Sequence, residues 1–319
     1  MMQSRLSSAL SILPQRGKSF TFSQSSLDLA SQSGKPSHIW SSIRNSYPHN
    51  LKSSRHTPGE CHKAFIPLIC AATTGGIPMK VLILGGNGYL GPHVVKALEP
   101  YYTLRITDIN EIETKHESMH IDVGSLDQVM HAAEGMDAIL NCSVLRHDRQ
   151  LAFDVSTRGC YNTMRAAVEH GIRRVINTGP HFTIQGDSYT TFDYEINPEV
   201  PPHTSTGLYP ITKGLGQEIC KVFTEHYDIY VLCYLFLSFR EHEDQAEGTD
   251  LNPFSVSWRD AGEAFRLGLE IDLEELPSRC EIFNIFADLP HQQFSNLKAK
   301  HILGFTPQDN FERMWHKRD

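Results

Sequence analysis

The sequence lacks any paired-cysteine motif. Its seven cysteines are odd in number, lie far apart along 319 residues and include no C-x-x-C pair. They are Cys61, Cys70, Cys142, Cys160, Cys220, Cys233 and Cys280. Disulfide scaffolds and thiolate zinc sites depend on paired or closely spaced cysteines. We therefore expect a reducing compartment and no disulfide framework.

Long apolar runs are also absent, and acidic residues are scarce in the N-terminal part of the chain. No stretch reaches the roughly 18 apolar residues that a membrane-spanning helix needs, so we expect no membrane segment. Residues 1–78 hold eight Lys/Arg and two Asp/Glu, which leaves 21 bases against 35 acids in the rest of the chain. That excess of negative charge disfavours nucleic acid and anionic membranes as partners.

Residues 1–78 form a segment of unusual composition. The first 54 residues contain sixteen serines and no sustained hydrophobic period, so we expect a poorly ordered extension. A Ser-rich, basic and acid-poor segment is typical of an organelle transit peptide. Alternatively Met79 is the natural start, because MKVLILGG begins the first strand directly. We expect a cytoplasmic protein, or organelle import if the extension is genuine.

From Met79 onward, short apolar runs alternate with helical periods. Strands are predicted at 80–84, 103–107, 119–122, 138–142, 174–178, 230–236, 254–258 and 281–286. Helices are predicted near 89–99, 125–134, 151–170, 208–226, 260–272 and 291–303. This alternation predicts an α/β fold with a doubly wound parallel sheet of the Rossmann type. We expect a nucleotide-binding domain over 79–237 and a smaller substrate-side part over 238–319.

A glycine motif, LGGNGYLGPHV, follows the first strand. Gly85, Gly88 and Gly91 let the backbone turn tightly and approach a pyrophosphate at the start of the next helix. Asp108 closes the second strand 23 residues after Gly85, where its carboxylate can accept both adenosine ribose hydroxyls and repel a 2′-phosphate. The motif therefore predicts NAD as the cofactor. The other loop residues placed at the cofactor are Asn87, Tyr89 and Leu90.

A second motif, YPITK, lies on an amphipathic helix. Tyr209 and Lys213 are four residues apart and share one helix face. An ammonium close to a phenol favours the phenolate, which predicts that Lys213 draws the tyrosine pKa down from its reference value of about 10. A phenol tuned in this way can exchange the proton of a carbinol while hydride moves to or from nicotinamide.

Taken together, GGNGYLG, Asp108, Asp122-Val123 and YPITK resemble the extended short-chain dehydrogenase/reductase family. The similarity covers about residues 79 to 316. TDIN, SWRDAGEAF and LGFTPQDNFERMW look closest to the NAD-dependent epimerase/dehydratases, and especially to uronate dehydrogenases. The resemblance implies an oxidoreductase of carbohydrate metabolism that acts on a sugar, sugar acid or sugar nucleotide.

The resemblance also implies roles for individual residues. Asp122 and Val123 are expected at the adenine, with Ile109 and Cys142 among the other cofactor-binding residues. Lys213 is expected to bind the nicotinamide ribose, and Tyr209 to be the acid/base. A homodimer is implied through the helices predicted at 151–170 and 208–226.

This sequence departs from the family pattern after strand five. Family members usually carry Ser or Thr near the place where Gly179-Pro180 stands here. Thr178, His181 or Thr183 could substitute, with Thr178 the nearest in register. A histidine in this role would make the rate pH-sensitive near neutrality.

Two further residues are candidates for the substrate pocket. Arg146, in NCSVLRHDR, is either a carboxylate or phosphate anchor or an exposed loop arginine. Ser238 follows strand six, where the family's common Pro-Gly turn is missing. We expect no metal, because HESMH at 116–120 matches H-E-x-x-H but leads into a strand instead of forming a helical turn.

Two kinds of function stay open. In the first, Tyr209 and Lys213 catalyse hydride transfer in an epimerase, dehydratase or dehydrogenase. In the second, the chain is a nonenzymatic NAD-binding protein whose missing strand-five hydroxyl reflects lost catalysis. The choice between the two functions depends on what stands beside Tyr209.

Overall fold

The computed structural model describes residues 78–185, 195–200, 203–242, 251–290, 293–311 and 314. Apart from Pro78, the predicted N-terminal extension lies outside the described residues. The described residues belong to one compact unit.

A parallel sheet organises this unit. The strands are β1 Lys80–Leu84, β2 Thr103–Asp108, β3 Glu117–His120, β4 Ala138–Asn141, β5 Arg174–Pro180, β6 Tyr230–Phe236, β7 Ser238–Arg240, β8 Ser255–Ser257 and β9 Cys280–Asn284. Seven of them form the main sheet, in the order β3-β2-β1-β4-β5-β6-β9, and β7 pairs with β8 separately. The order reverses between β1 and β4, which creates the crevice where doubly wound sheets bind ligands. The predicted fold class is confirmed.

Helices cover both faces of this sheet. They are α1 Gly91–Leu98, α2 Leu126–Ala133, α3 Arg149–Phe153, α4 Gly159–Glu169, α5 Phe182–Gln185, α6 Leu208–His226 and α7 Trp258–Glu270. α1 and α7 pack into one apolar core, and α2, α4 and α6 into the core on the opposite face. Strands β1, β4 and β6 read as near-continuous apolar runs because both of their faces are buried.

Several predicted elements have other bounds in the structure, and β5 continues through Gly179-Pro180 instead of ending at Thr178. β3 begins two residues earlier than predicted, at Glu117. The helix predicted at 151–170 is interrupted by a π-helical turn, Asp154–Arg158. The helix predicted near 291–303 is shorter, with a π-helical turn at Ala299–Leu303, because Phe294 instead forms a β-bridge with Ile196.

The predicted boundary at residue 237 divides this sheet. β9 comes from the C-terminal part of the chain, yet it pairs with β6 in the main sheet from Val231↔Cys280 to Leu235↔Asn284. The C-terminal part of the chain therefore supplies one strand of the nucleotide-binding sheet.

Candidate active site

The glycine loop joins β1 to α1. Gly85 has φ +74°, in the left-handed region that glycine adopts without strain. A Cβ atom at Gly85 would lie 2.8 Å from the backbone of Ser143, so the loop packs directly on the chain that leaves β4. The first turn of α1 follows, where N–H groups lack helical partners and favour an anion.

Asp108 is buried at the end of β2 and is tied to this loop. Its Oδ2 accepts the Asn87 N–H at 3.0 Å, and its Oδ1 accepts the N–H and the side-chain amide of Asn110 at 3.0 and 3.1 Å. These bonds fix the carboxylate beside the loop as an acceptor group. Such a group suits a ribose diol and repels a phosphate.

We expect Asp108→Ala to weaken NAD binding by about 10- to 100-fold, because a hydrogen bond to a charged group contributes about 1.5–3 kcal/mol. Isothermal titration with NAD measures the change. Asp127→Ala, at an exposed position of α2, is the matched control. An unchanged Kd in the Asp108 variant would remove this residue from the cofactor site.

The other loop residues predicted at the cofactor lie around this site. The side-chain amide of Asn87 donates to the Glu111 carbonyl at 2.8 Å. Tyr89 is 67% exposed, and its ring meets Trp258 edge-on at 4.7 Å. Leu90 is the N-cap of α1. The contacts of these three residues with NAD stay predictions.

The remaining predicted cofactor residues follow β2, β3 and β4. Ile109, next to Asp108, is 56% exposed. Asp122 Oδ1 accepts the Gly124 N–H at 2.8 Å, and the Val123 carbonyl accepts the Asn162 side-chain amide at 2.8 Å. Cys142 is buried, and burial raises the pKa of its thiol to about 12, so the thiol stays neutral. These side chains lie beyond the carboxyl ends of the strands, where the fold binds ligands.

Lys213 joins two strands from its position on α6. Its Nζ donates to the Ser143 carbonyl at 2.7 Å and to the Thr178 carbonyl at 3.0 Å. The ammonium therefore bridges the segment that leaves β4 and the C-terminal part of β5. Burial lowers the pKa of Lys213 to about 8.

Tyr209 lies in the first turn of α6, one turn before Lys213. Burial raises the pKa of its phenol above 10, while the charge of Arg146 and a hydrogen bond from Arg146 oppose that rise. The guanidinium carbon of Arg146 lies 4.7 Å from the centre of the Tyr209 ring. The prediction that Lys213 draws this pKa down is wrong here, because Lys213 is engaged with carbonyl groups and the cation at the phenol is Arg146.

Ser143 is a further candidate for the site, which the sequence motifs did not indicate. Its side chain is buried, and among the described residues its hydroxyl has no hydrogen-bond partner. It lies where the glycine loop, β4 and Lys213 meet. A buried polar atom without a partner fits a site that a polar ligand completes. Its position directly after strand four was the available signal.

Two of the candidates around strand five, Thr178 and His181, and the substrate candidate Ser238 have different surroundings. The Thr178 hydroxyl donates to the Asn141 carbonyl at 2.9 Å. His181 is buried with its ring 5.2 Å from that of Phe254, and burial lowers its pKa to about 3. The expected pH sensitivity from His181 near neutrality is therefore wrong, because the ring stays neutral there. Ser238 is partly buried, and its N–H donates to the Phe254 carbonyl at 3.3 Å.

The H-E-x-x-H segment is extended, as predicted, since β3 spans Glu117–His120. His116 lies just before it, with Nε2 3.2 Å from a carboxylate oxygen of Glu99. Among the residues that the structure describes, no group of three or more His, Cys, Asp or Glu is placed to hold a metal ion. No helix in the same residues has the length and apolar character to cross a bilayer.

The reversed parallel sheet, the glycine loop and the fixed Asp108 carboxylate define a Rossmann dinucleotide-binding protein. Residues 81–242, just over half of the chain, match the NAD dependent epimerase/dehydratase family. The chain belongs to that family. Family membership confirms the predicted resemblance, the NAD cofactor and an oxidoreductase of the epimerase/dehydratase type. The Ser143 hydroxyl, which has no partner among the described residues, and the Asp108 carboxylate both fit that cofactor.

Similar proteins include carbohydrate dehydrogenases. The NAD-dependent glucose-6-phosphate dehydrogenase of Haloferax volcanii is 22% identical over 264 residues, which is 72% of this chain and 93% of that protein. Among solved structures, the uronate dehydrogenase of Agrobacterium tumefaciens has a TM-score of 0.65 at 19% identity, covering 74% of this chain and 86% of that one. The glucuronic acid dehydrogenase of Chromohalobacter salexigens has a TM-score of 0.62 at 20% identity, covering 74% of this chain and 87% of that one. At these identities the structures establish the shared fold.

Proposed function

We propose that this protein oxidises a hydroxyl group of a sugar, sugar acid or sugar nucleotide, with Tyr209 as the acid/base and NAD as the hydride acceptor. One observation carries the proposal. Tyr209 and Lys213 occupy successive turns of α6. Lys213 binds the segment that leaves β4 and the C-terminal part of β5, at the edge of the sheet that holds the glycine loop.

Each residue of the site has a separate task. Bound NAD supplies the hydride acceptor. Tyr209 takes the proton from the substrate hydroxyl, and its place at the N-terminal end of α6 favours the ionised phenol. Lys213 uses two of its three N–H groups on carbonyls, which leaves one for a ribose hydroxyl of the cofactor. Asp108 holds the other ribose, and Ser143 supplies a further donor.

An anionic sugar is the favoured substrate within this class. Uronate, glucuronic acid and glucose 6-phosphate, the substrates in the names of the similar enzymes, all carry a negative charge. Arg146 is exposed next to Tyr209, and a guanidinium binds a carboxylate or a phosphate with two parallel hydrogen bonds. This proximity supports the prediction of an anion anchor over that of an unengaged loop arginine.

We also propose a homodimer through α4 and α6. Large apolar side chains on the outer surfaces of these helices are exposed: Tyr161 by 45%, Leu215 by 42% and Val222 by 49%. Exposed apolar groups on adjacent helices support a protein interface. Light scattering coupled to size-exclusion chromatography should give twice the chain mass, and a Leu215→Glu variant should give the monomer mass. Two chain masses for this variant would place the interface elsewhere.

The proposed function is tested with the full-length chain, NAD and a panel of uronic acids, sugar phosphates, neutral sugars and nucleotide sugars. Reduced nicotinamide appearing at 340 nm identifies a dehydrogenase. An isomeric or dehydrated sugar without net reduction identifies an epimerase or dehydratase. NAD binding without conversion of any panel member would contradict the proposal and favour the nonenzymatic protein.

A further inference from the structure

The end of β5 has no side-chain hydroxyl at Gly179-Pro180, where family members usually carry one. Gly179 faces the side chain of Gln217, and a Cβ atom at Gly179 would lie 2.4 Å from the Gln217 amide nitrogen. Pro180 has neither a backbone N–H nor a polar side chain that could donate a hydrogen bond. Gln217 is one turn beyond Lys213 on α6, so the helix that carries the catalytic pair also fills the space at Gly179.

The neighbouring hydroxyls are turned to other partners. Thr178 donates its hydroxyl to the Asn141 carbonyl at 2.9 Å, and Thr183 donates to the Pro180 carbonyl at 3.0 Å. His181 packs between the rings of Phe254 and Phe294. The two hydroxyls therefore donate to backbone carbonyls and not to the phenol of Tyr209.

Arg146 comes from the opposite side, on the segment between β4 and α3. Its guanidinium carbon is 4.7 Å from the centre of the Tyr209 ring, which places the positive charge directly at the phenol. A cation over an aromatic face is attracted by the ring, so this contact holds Arg146 against Tyr209.

The segment that carries Arg146 is fixed at both ends. On the β4 side, the Ser143 N–H donates to the Asn141 side chain at 3.2 Å, and the Ser143 carbonyl accepts Lys213. On the other side, Asp148 caps α3 by accepting the Leu151 N–H at 2.8 Å. Only four residues, 144–147, lie between these anchors, which limits the positions that Arg146 can reach.

We propose that Arg146 is a positioning residue that orients the Tyr209 phenol and stabilises its ionised form, in place of the strand-five hydroxyl. This inference rests on the proposed function, since it concerns how the same tyrosine is activated. It assigns Arg146 a task in proton transfer in addition to anion binding.

The charges around Tyr209 determine the sign of the expected effect. Burial raises the pKa of the phenol, and the positive charge of Arg146 lowers it. Cys142 and His181 are neutral at working pH because burial raises the thiol pKa to about 12 and lowers the imidazole pKa to about 3. Lys213 is buried, loses its charge as pH rises through about 8, and binds carbonyls. Removing the charge of Arg146 should therefore raise the phenol pKa.

The first test is the pH dependence of kcat/KM for oxidation of the best substrate. The rate rises with pH as the phenol ionises, and in Arg146→Gln this rise should move up by about one pH unit. Arg146→Lys should keep part of the effect, and Arg149→Gln, three residues away and exposed, should leave the profile unchanged. A raised KM with an unmoved profile in Arg146→Gln would overturn the inference and leave only an anion anchor.

A second test needs no turnover. The ultraviolet absorbance of tyrosinate near 295 nm is titrated in the full-length protein, and the titration of Tyr209→Phe is subtracted to isolate this phenol. The isolated transition should lie at lower pH in the wild type than in Arg146→Gln. Coincident transitions refute the role of Arg146 even if the enzyme is active, whereas separated transitions in a protein without turnover would contradict only the proposed function.

Discussion

Tyr209→Phe should lower kcat by about 10²- to 10⁴-fold, which is the usual contribution of a positioned acid/base. The substitution removes one oxygen atom and leaves the ring, so the cation contact with Arg146 is retained. NAD binding should change little, because the glycine loop, Asp108 and Lys213 remain. Steady-state kinetics at saturating NAD, together with a titration of NAD binding, measure both effects.

A matched control for this variant is Tyr101→Phe, since Tyr101 is 58% exposed in the turn after α1. It loses the same atom and should keep full activity. Tyr209→Phe with more than about a tenth of wild-type kcat would exclude this phenol as the acid/base.

Lys213→Met should lower kcat/KM by about 10²- to 10³-fold, as expected for loss of one preorganised donor in a buried site. Methionine fills a similar volume but cannot bind the Ser143 and Thr178 carbonyls or a ribose. Unlike the tyrosine variant, Lys213→Met should also weaken NAD binding. Activity and affinity both equal to wild type would remove Lys213 from the site.

The same variant gives an independent stability readout. The pKa of Lys213 is about 8 in the folded protein against 10.5 for the free side chain, because the buried ammonium is poorly solvated. Between these values the unfolded chain holds more protons than the folded one, so Lys213 makes the free energy of unfolding rise with pH, by up to roughly 3 kcal/mol. The wild type should gain this increment between pH 7 and 11 relative to Lys213→Met. Parallel curves for the two proteins would show that the ammonium is not desolvated.

Local patterns were sufficient to predict the scaffold and the two main motifs. The spacing from Gly85 to Asp108 lies within one β-α-β unit, and the four-residue step from Tyr209 to Lys213 lies within one helix. In both cases the spacing determines the geometry. The long apolar runs of the central strands were equally informative, because burial on both faces requires them.

Contacts between distant segments could not be predicted in the same way. The approach of Arg146 to Tyr209 depends on a short loop held by the Asp148 cap and by Lys213, 70 residues further on from Ser143. Likewise, the sequence predicted a substitute hydroxyl at Thr178, but the neighbouring strand supplies the Asn141 carbonyl that this hydroxyl binds. Tertiary packing determined these partners.

The central claim is that a sugar hydroxyl is oxidised here with hydride transfer to NAD. The most direct measurement uses the best panel substrate deuterated at the hydroxyl-bearing carbon, followed by mass analysis of the nicotinamide product after a single turnover. If hydride moves from the sugar to NAD, we expect one deuterium in the reduced cofactor for each oxidised sugar, and almost none with Tyr209→Phe. Sugar conversion without deuterium in the cofactor would contradict it.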